Sequence, residues 1–435
     1  MPTTRIFGEH DARTIAQLER CASIGSATGA VLCADGHLGY AQPVGGVVAY
    51  AEHISISGVG FDVACGNMAA RLDVKKAAIA DRIGPIVDDV ARAISFGVGR
   101  KNAERVEHPL FDDGEAWRAA GVGELKELAA AQLGTVGSGN HYVDLFEDEE
   151  GFVWIGNHFG SRGLGHKSAM KYLKLAGGKD GMDVEPALVH QDDELGQRYL
   201  AAMTLAGRYA YAGREWVVER VRAIIGARIT DVVHNHHNFA WREHHGEHDV
   251  WVVRKGATPA FPGQRGFVGA TMGEPAVIIE GVESATSRQA LYSTIHGAGR
   301  VLSRTQAAGK SATVWECTER DCTHFEFKRD YMSKRDAAGV EEHGRFTTCP
   351  DHPRGRMRKR FRRVVGGLID YQAVRARLAA QGIMIRGGGA DEAPEAYKRL
   401  DEVLAHHAGT VRVQHTLKPL AVLMAGEGEY DPYKD

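Results

Sequence analysis

Five segments of this chain, four of them rich in glycine, carry side chains able to bind metal ions or to attack phosphorus. In GVGFDVACGN, Gly58–Asn67, two residues separate Asp62 from Cys65 in a glycine-rich turn. A carboxylate and a thiolate offered by one tight loop can bind one divalent ion or a pair, and glycines allow the positive φ such a loop needs. In GTVGSGNHYVDLF, Gly134–Phe146, glycines lead into Asn140 and His141. The alternation of Tyr142, Val143, Asp144 and Leu145 then marks a strand with His141 at its mouth. In IGNHFGSRGLGHK, Ile155–Lys167, the strand-like Val153–Ile155 leads to His158 and then to Ser161 and Arg162 between glycines. That pair suits phosphate binding, through backbone N–H groups and a guanidinium fork.

The fourth segment, VVHNHHNFAWRE, Val232–Glu243, holds His234, His236 and His237 within four residues. In an extended chain these alternate faces, so they cannot all reach one ion, and at least one is expected to be structural. In the fifth, STIHGAGRVLSR, Ser293–Arg304, His296 precedes Gly-Ala-Gly-Arg. Small neighbours let a bulky anion approach the imidazole and Arg300 can neutralise it, an arrangement suited to a histidine nucleophile attacking phosphorus. Singly, each segment has a plainer reading: a buried thiol, a turn, a surface ion pair, a helix cap. Together they set four histidine sites and an Asp-Cys pair on separate loops, the pattern of an assembled metal centre. Ligand softness favours Zn²⁺, while the mixed donor set also admits Mn²⁺ or Co²⁺.

These loops need a large scaffold, and the chain supplies one. It has 435 residues, 43% hydrophobic and 25% charged, which fits a globular protein with a sizeable core. At about 150 residues per domain it could hold three domains or one large catalytic domain. The net charge of −3 makes any nucleic-acid surface local. No stretch approaches the roughly 20 apolar residues of a membrane span, and the N-terminus lacks the apolar core of a secretory signal. Six cysteines in such a chain read as thiols or metal ligands, and the expected compartment is the cytoplasm. Apolar periodicity predicts helices over Thr14–Ser23, Ala77–Ser95, Gly123–Gln132 and Asp192–Ile225. In the last, Leu195, Tyr199, Met203, Ala206 and Ala210 line one side and Gly226 ends the helix. Strands are expected over Gly151–Ile155, Val250–Val253 and Ala276–Glu280. Helices and strands intersperse without strict βαβ order, which indicates an α+β fold with mixed sheets.

Eight motifs in order resemble the RtcB family of RNA-splicing ligases: ADGHLGYAQPVGGVVA, GVGFDVACG, GSGNHYVD, GSRGLGH, HNFAWRE, RKGATPAFPGQRGF, HGAGRVLSR and EAPEAYKRLDEV. The resemblance implies a single large catalytic domain, residues 1–310 and 365–435. It implies joining of RNA 3′-phosphate or 2′,3′-cyclic phosphate ends to 5′-hydroxyl ends, using GTP and two Mn²⁺ ions, through a histidine–GMP intermediate. By motif, Asp62, Cys65, His141, His158 and His237 are implied as metal ligands, with the Cys65 thiolate bridging two ions, and His296 as the guanylylated nucleophile. Asn140, Asp144, Thr271, Gly297, Ala298, Gly299, Arg300 and Tyr397 are implied around the nucleotide, and Arg162 at a phosphate. An archease-like activator is a candidate partner. Two departures fall on the guanine side: Asp144 stands where the family usually has Glu, and Ala425 precedes Gly426 where the family usually ends in Lys-Gly. GTP is the expected nucleotide with ATP as the alternative, and Lys418 or Lys434 could substitute for the missing lysine.

Residues 311–364 differ in composition and read as a small inserted module. Cys317, Cys322, Cys349 and His352 form two knuckle-like pairs resembling a structural Zn²⁺ site, with His324 as a competing ligand. Seven of the ten residues from Arg354 to Arg363 are basic. Arg358 and Arg360 are therefore candidate RNA-phosphate contacts, unless the run is simply a solvated helix face. Two other functions fit the sequence less well: a metal-dependent 2′,3′-cyclic phosphodiesterase without ligation, and a non-catalytic RNA-binding protein.

Overall fold

The computed structural model describes residues 3–319, 321–327 and 348–426. The chain divides into a larger unit, running to Val301 and resuming at Tyr371, and a smaller one, Leu302–Asp370. Helices and mixed sheets intersperse, as an α+β reading requires.

Two sheets organise the larger unit. In the eight-stranded sheet the order is Arg265–Val268, Ala276–Gly281, Val411–Gly426, Tyr142–Glu147, Phe152–Phe159, Gly66–Lys75 and Ile229–His236, with Met384–Gly388 added parallel to Val411–Gly426. The five-stranded sheet runs Thr3–Ile6, Ala27–His37, Val44–Tyr50, His248–Lys255 and Asn238–His245. The chain passes from one sheet to the other at His237, which lies between Ile229–His236 and Asn238–His245. Register then aligns distant motifs at one end of the larger sheet. Gly66 pairs with both Phe159 and His236, Asn67 with His158, and Tyr142 with His158.

The helix Glu194–Ile225 spans 32 residues and ends at Gly226, whose φ of 79° is the left-handed conformation that glycine adopts at little cost. Tyr199, Met203, Ala206 and Ala210 are buried and Leu195 is half-buried, as its periodicity predicts. Its first half packs into a core with Leu18, Tyr50, Ile54, Trp117 and Tyr172. Its second half, through Val217, Val221 and Ile225, joins the core on one face of the eight-stranded sheet. The stretch expected as one helix from Ala77 to Ser95 forms two 3₁₀ turns and then a helix over Ile83–Ala93. Pro85 accounts for the late start, because only in a first turn can a helix absorb a residue lacking its N–H. Gly123–Gln132 likewise opens with a 3₁₀ turn before the helix Lys126–Gln132. No helix among the described residues is long and apolar enough to cross a membrane.

The smaller unit contains a four-stranded sheet, ordered Phe325–Phe327, Gly309–Cys317, His352–Gly366 and Thr348–Cys349. It is wider than residues 311–364 because its two long strands pair out to Gly309 and Gly366. The basic run lies on a strand, not a helix, so Arg356, Arg358 and Arg360 share one face. Glu316 lies 3.7 Å from Arg358 and 3.5 Å from Arg360 and offsets part of their charge. Residues 328–347 of the module, and Lys434, lie outside the described residues.

Gly66 tests how tightly this register is held. A Cβ there would stand 2.1 Å from the Asn235 carbonyl oxygen and 2.8 Å from the His236 Cα, both backbone atoms that cannot rotate away. Gly66→Ala is therefore expected to cost about 1–3 kcal/mol of overpacking. The midpoint of thermal unfolding reads this out, and an unchanged midpoint would show that the strands can separate freely.

Candidate active site

The turn Phe61–Cys65 enters the strand Gly66–Lys75. Cys65 N–H donates to the Asp62 carbonyl at 3.0 Å and Ala64 takes a φ of 58°, so the carboxylate and the thiol lie on one side of the turn. Gly160 makes room for it: a Cβ there would meet the Asp62 carboxylate at 2.2 Å. The backbone of the neighbouring segment completes the fit, since His237 N–H donates to the Cys65 carbonyl at 2.9 Å and Ala64 N–H to the Asn238 carbonyl at 2.7 Å.

Two potential ligand groups converge there, each with its donor atoms within 4.8 Å of one another: Asp62, Cys65 and His141, and Cys65, His158 and His237. Cys65 belongs to both. Its sulfur lies 3.5 Å from His141 Nε2 and 3.6 Å from His158 Nε2, and His141 Nε2 lies 3.0 Å from the Asp62 carboxylate. His158 and His237 stack with ring centroids 5.1 Å apart. The donor chemistry fits divalent cations sharing a thiolate: soft sulfur, neutral imidazoles and one carboxylate. His237 Nδ1 is also buried without a hydrogen-bond partner.

Electrostatics agree with that reading. Burial first, then neighbouring imidazoles, hold His158 and His237 well below the ordinary histidine value, so both are neutral. Burial works against ionising Asp62, yet the His141 hydrogen bond and the Arg162 charge hold it well below the usual carboxylate range. Burial and then Asp62 push the Cys65 thiol well above its ordinary value. A thiol placed there ionises readily only against a nearby cation.

Residues outside the ligand groups orient the rings. His158 Nδ1 faces Asn67 Oδ1 at 2.5 Å, and Asn67 Nδ2 donates to the Phe267 carbonyl, which leaves Oδ1 to accept from the ring and turns the Nε2 lone pair toward Cys65. Arg162 Nη1 donates to His141 Nδ1 at 3.2 Å, so Nε2 carries the proton given to Asp62. Ligation through that nitrogen is therefore coupled to proton release. Arg162 has a φ of 51° where the helix Arg162–Leu175 begins, a costly conformation for a side chain-bearing residue. Gly137 lets its guanidinium pass, since a Cβ there would sit 2.0 Å from Arg162 Nη2.

The three clustered histidines part company. His237 joins Cys65, whereas His234 and His236 turn to Arg214 in the middle of the long helix. Arg214 is fully buried and donates to His234 Nε2 at 2.8 Å, His236 Nδ1 at 3.0 Å, the Ala64 carbonyl at 3.1 Å and the Phe159 carbonyl at 2.6 Å. It thus grips the backbone beside both Cys65 and His158. Its only sequence signal is a charge on the buried side of an amphipathic helix.

His296 follows the short strand Ser293–Ile295, paired with Ala257–Pro259, and begins no helix. Its ring lies 4.8 Å, centroid to centroid, from that of His237. The fully buried Asp35 holds it: one carboxylate oxygen accepts from the ring Nδ1 at 2.7 Å, from His296 N–H at 2.9 Å and from Gly297 N–H at 3.3 Å. A carboxylate held below the usual range against burial, chiefly by His296, can only accept. The proton therefore sits on Nδ1 and the lone pair on Nε2. Gly256, at φ 59°, admits the ring, because a Cβ there would lie 3.0 Å from His296 Cε1. Asp35 lies in the ADGH motif, none of whose side chains the sequence alone singles out as a candidate.

The remaining nucleotide candidates spread around this centre. Asn140 is exposed, its Nδ2 3.4 Å from His158 Nε2. Thr271 is buried, with a hydroxyl lacking a hydrogen-bond partner. Gly297, Ala298 and Gly299 follow His296 directly, and Lys398 N–H donates to the Gly299 carbonyl at 2.8 Å. Arg300 donates to the Tyr397 hydroxyl at 2.7 Å and the Asp391 carbonyl at 2.8 Å, and its guanidinium lies 4.8 Å from the Tyr397 ring centroid. Asp144 is buried on the strand beside Val411–Gly426 and accepts from Leu423 N–H at 3.3 Å; burial pushes its carboxyl well above the usual range.

Neutral buried histidines make stability depend on pH. Burial lowers His37 and His407 to about 4 and His234 to about 2, and lowers His158, His236 and His237 further below their ordinary value. Below about pH 6.5 the unfolded chain binds protons that the folded chain refuses, so stability is full above that pH and falls beneath it. Each imidazole contributes up to about 1.4 kcal/mol per pH unit. Metal-free protein is expected to lose thermal stability steadily from pH 7 to 5, and His407→Gln to make that slope shallower. Flat unfolding midpoints across this range would contradict the buried, neutral state.

Known proteins are similar to this chain over most of its length. The family model described as tRNA-splicing ligase RtcB matches residues 17–130 and 114–343. The tRNA-splicing ligase RtcB of Thermococcus kodakarensis is 29% identical, covering 93% of this chain and 90% of its own. The RNA-splicing ligase RtcB of Mycobacterium tuberculosis is also 29% identical, over 89% of this chain and 94% of its own. The tRNA-splicing ligase RtcB of Pyrobaculum aerophilum is 31% identical over 64% and 74%. Since the family model spans most of the chain and includes Asp62, Cys65, His141, His158, His237 and His296, the chain belongs to the RtcB family.

Proposed function

We propose that this protein is an RNA ligase that carries a nucleotide on His296 while joining an RNA 3′-phosphate or 2′,3′-cyclic phosphate end to a 5′-hydroxyl end. The observation that carries the reading is the His296 ring, fixed by Asp35 with its Nε2 lone pair free, beside the histidine that shares a ligand group with Cys65. Relatives named as tRNA- and RNA-splicing ligases over nearly their full length support the RNA substrate.

In the first step His296 Nε2 attacks the α-phosphorus of GTP, forming a P–N bond as pyrophosphate leaves. The ring becomes cationic, and the buried Asp35 carboxylate stabilises that charge through Nδ1–H. In the second, an oxygen of the RNA 3′-phosphate attacks the same phosphorus; the P–N bond breaks and neutral His296 returns. In the third, the RNA 5′-hydroxyl attacks the 3′-phosphate phosphorus, GMP leaves, and a phosphodiester remains. A 2′,3′-cyclic end is first hydrolysed to the 3′-phosphate. Asp62, Cys65 and His141 would hold one divalent cation and Cys65, His158 and His237 a second, Mn²⁺ in this reading, and such a pair neutralises charge on the phosphoryl oxygens. Arg162, near His141, supplies a fixed positive charge for a phosphate. GTP is the first choice of nucleotide, with ATP the alternative that Asp144 and Ala425 leave open.

Incubation with Mn²⁺ and each of four α-labelled nucleoside triphosphates is expected to leave an acid-labile protein adduct, strongest with GTP and absent in His296→Ala. No adduct with any nucleotide would reject the reading. Cyclic-phosphate hydrolysis that needs no nucleotide and persists in His296→Ala, with no ligation, would identify a phosphodiesterase instead. Asp35→Asn keeps an acceptor at Nδ1 but removes the charge, and a charged hydrogen bond exceeds a neutral one by about 1–2 kcal/mol. The rate of adduct formation is therefore expected to fall about tenfold or more, measured in single turnover. An unchanged rate would mean that Asp35 only supports the fold.

A further inference from the structure

The smaller unit holds a second concentration of thiols that the proposed ligation does not use. Cys317 ends the strand Gly309–Cys317, Cys322 follows in the next turn, and Cys349 ends the strand Thr348–Cys349. Their sulfurs lie within 4.8 Å of one another, with Cys322 and Cys349 at 3.7 Å. Backbone N–H groups aim at this sulfur cluster, as they do at thiolates. Glu319 N–H donates to Cys317 Sγ at 3.5 Å, and the N–H groups of Asp351 and His352 donate to Cys349. Gly355 leaves space for the cluster, since a Cβ there would stand 2.2 Å from Cys317 Sγ.

Packing concentrates these thiols in the buried part of the unit. One buried apolar cluster of this unit, apart from the buried Val314, is Cys317, Cys349 and Met357, with Trp315 and Cys322 packed against it. Three of those five side chains are the thiols themselves. Small folds commonly add a metal or disulfides to offset the entropy of ordering their strands. A disulfide could join only two of the three sulfurs and would leave the third buried beside it.

We propose that Cys317, Cys322 and Cys349 bind one structural Zn²⁺ as thiolates, with His352 as the fourth ligand. Three converging sulfurs select a soft, tetrahedral ion. His352 is three residues beyond Cys349, and its Nδ1 is buried without a hydrogen-bond partner. It lies outside the set of three sulfurs. The competing His324 is occupied, with Nδ1 2.8 Å from Asp351 and Nε2 3.1 Å from Glu326. Binding exchanges three S–H protons for the ion, with no change of oxidation state. The ion would tie the end of the strand Gly309–Cys317 to the turn that starts the strand carrying Arg356, Arg358 and Arg360.

Full-length protein purified without added metal and dialysed against EDTA is expected to retain zinc, and Cys322→Ser to retain one equivalent less per chain. Taking that difference cancels any zinc held at Cys65. Zinc-edge X-ray absorption on the unmutated, Mn²⁺-loaded protein provides a second readout that does not depend on a variant folding. It should show sulfur scatterers at about 2.3 Å. Zinc content indifferent to Cys322→Ser, a first shell of oxygen and nitrogen alone, or a Cys322–Cys349 disulfide in the peptide mass map would each overturn the proposal. None of these results bears on the His296 adduct, so this site and the ligase reading stand or fall separately.

Discussion

One buried cation holds the centre of this protein together. Arg214 lies sealed in the middle of the long helix, and its guanidinium donates to two carbonyls and two imidazoles. The carbonyls are those of Ala64 and Phe159, each adjacent in sequence to a candidate ligand, Cys65 or His158. Burial lowers even this guanidinium, to about 10, and the charges of Tyr211, Cys65 and Asp62 act in the opposite direction. A buried charge is costly unless its surroundings compensate it. Here two carbonyls and two imidazoles accept its hydrogen bonds, and the cation that fixes the backbone beside Cys65 also favours the thiolate there.

Around that anchor, three rings of the site have their orientation decided by one fixed partner each. Asn67 sets His158, Arg162 sets His141 and Asp35 sets His296. These partners sit on strands or at helix ends with little freedom. Asn67 is itself locked to the Phe267 carbonyl, and Asp35 is gripped by two backbone N–H groups as well as the ring. An imidazole presents either nitrogen to a ligand or a phosphorus atom only when the other is occupied, and these contacts settle the choice for each ring.

The smaller unit follows a different logic. Its sheet has long strands with thiols gathered in a buried cluster, and one face gathers arginines that Glu316 only partly neutralises. The larger unit buries two extensive cores along one helix and depends on packing. The smaller would depend on ligation.

Much of the chemistry was legible in the residues themselves. Asp62 and Cys65 shared a turn, glycines lay beside His141, His158 and His296, and the long helix showed its buried side and its terminal glycine, because these are local patterns a few residues long. The register of three strands was not legible, nor was the transfer from one sheet to the other at His237, which separates this histidine from His234 and His236. Asp35 meets His296 across 261 positions and Arg162 meets His141 across 21, so neither pairing leaves a periodic trace. Composition and spacing determined which donor atoms the molecule owns. The tertiary structure alone decided which of them face one another, because strand pairing and buried hydrogen bonds between distant segments set distances that no neighbouring residue encodes.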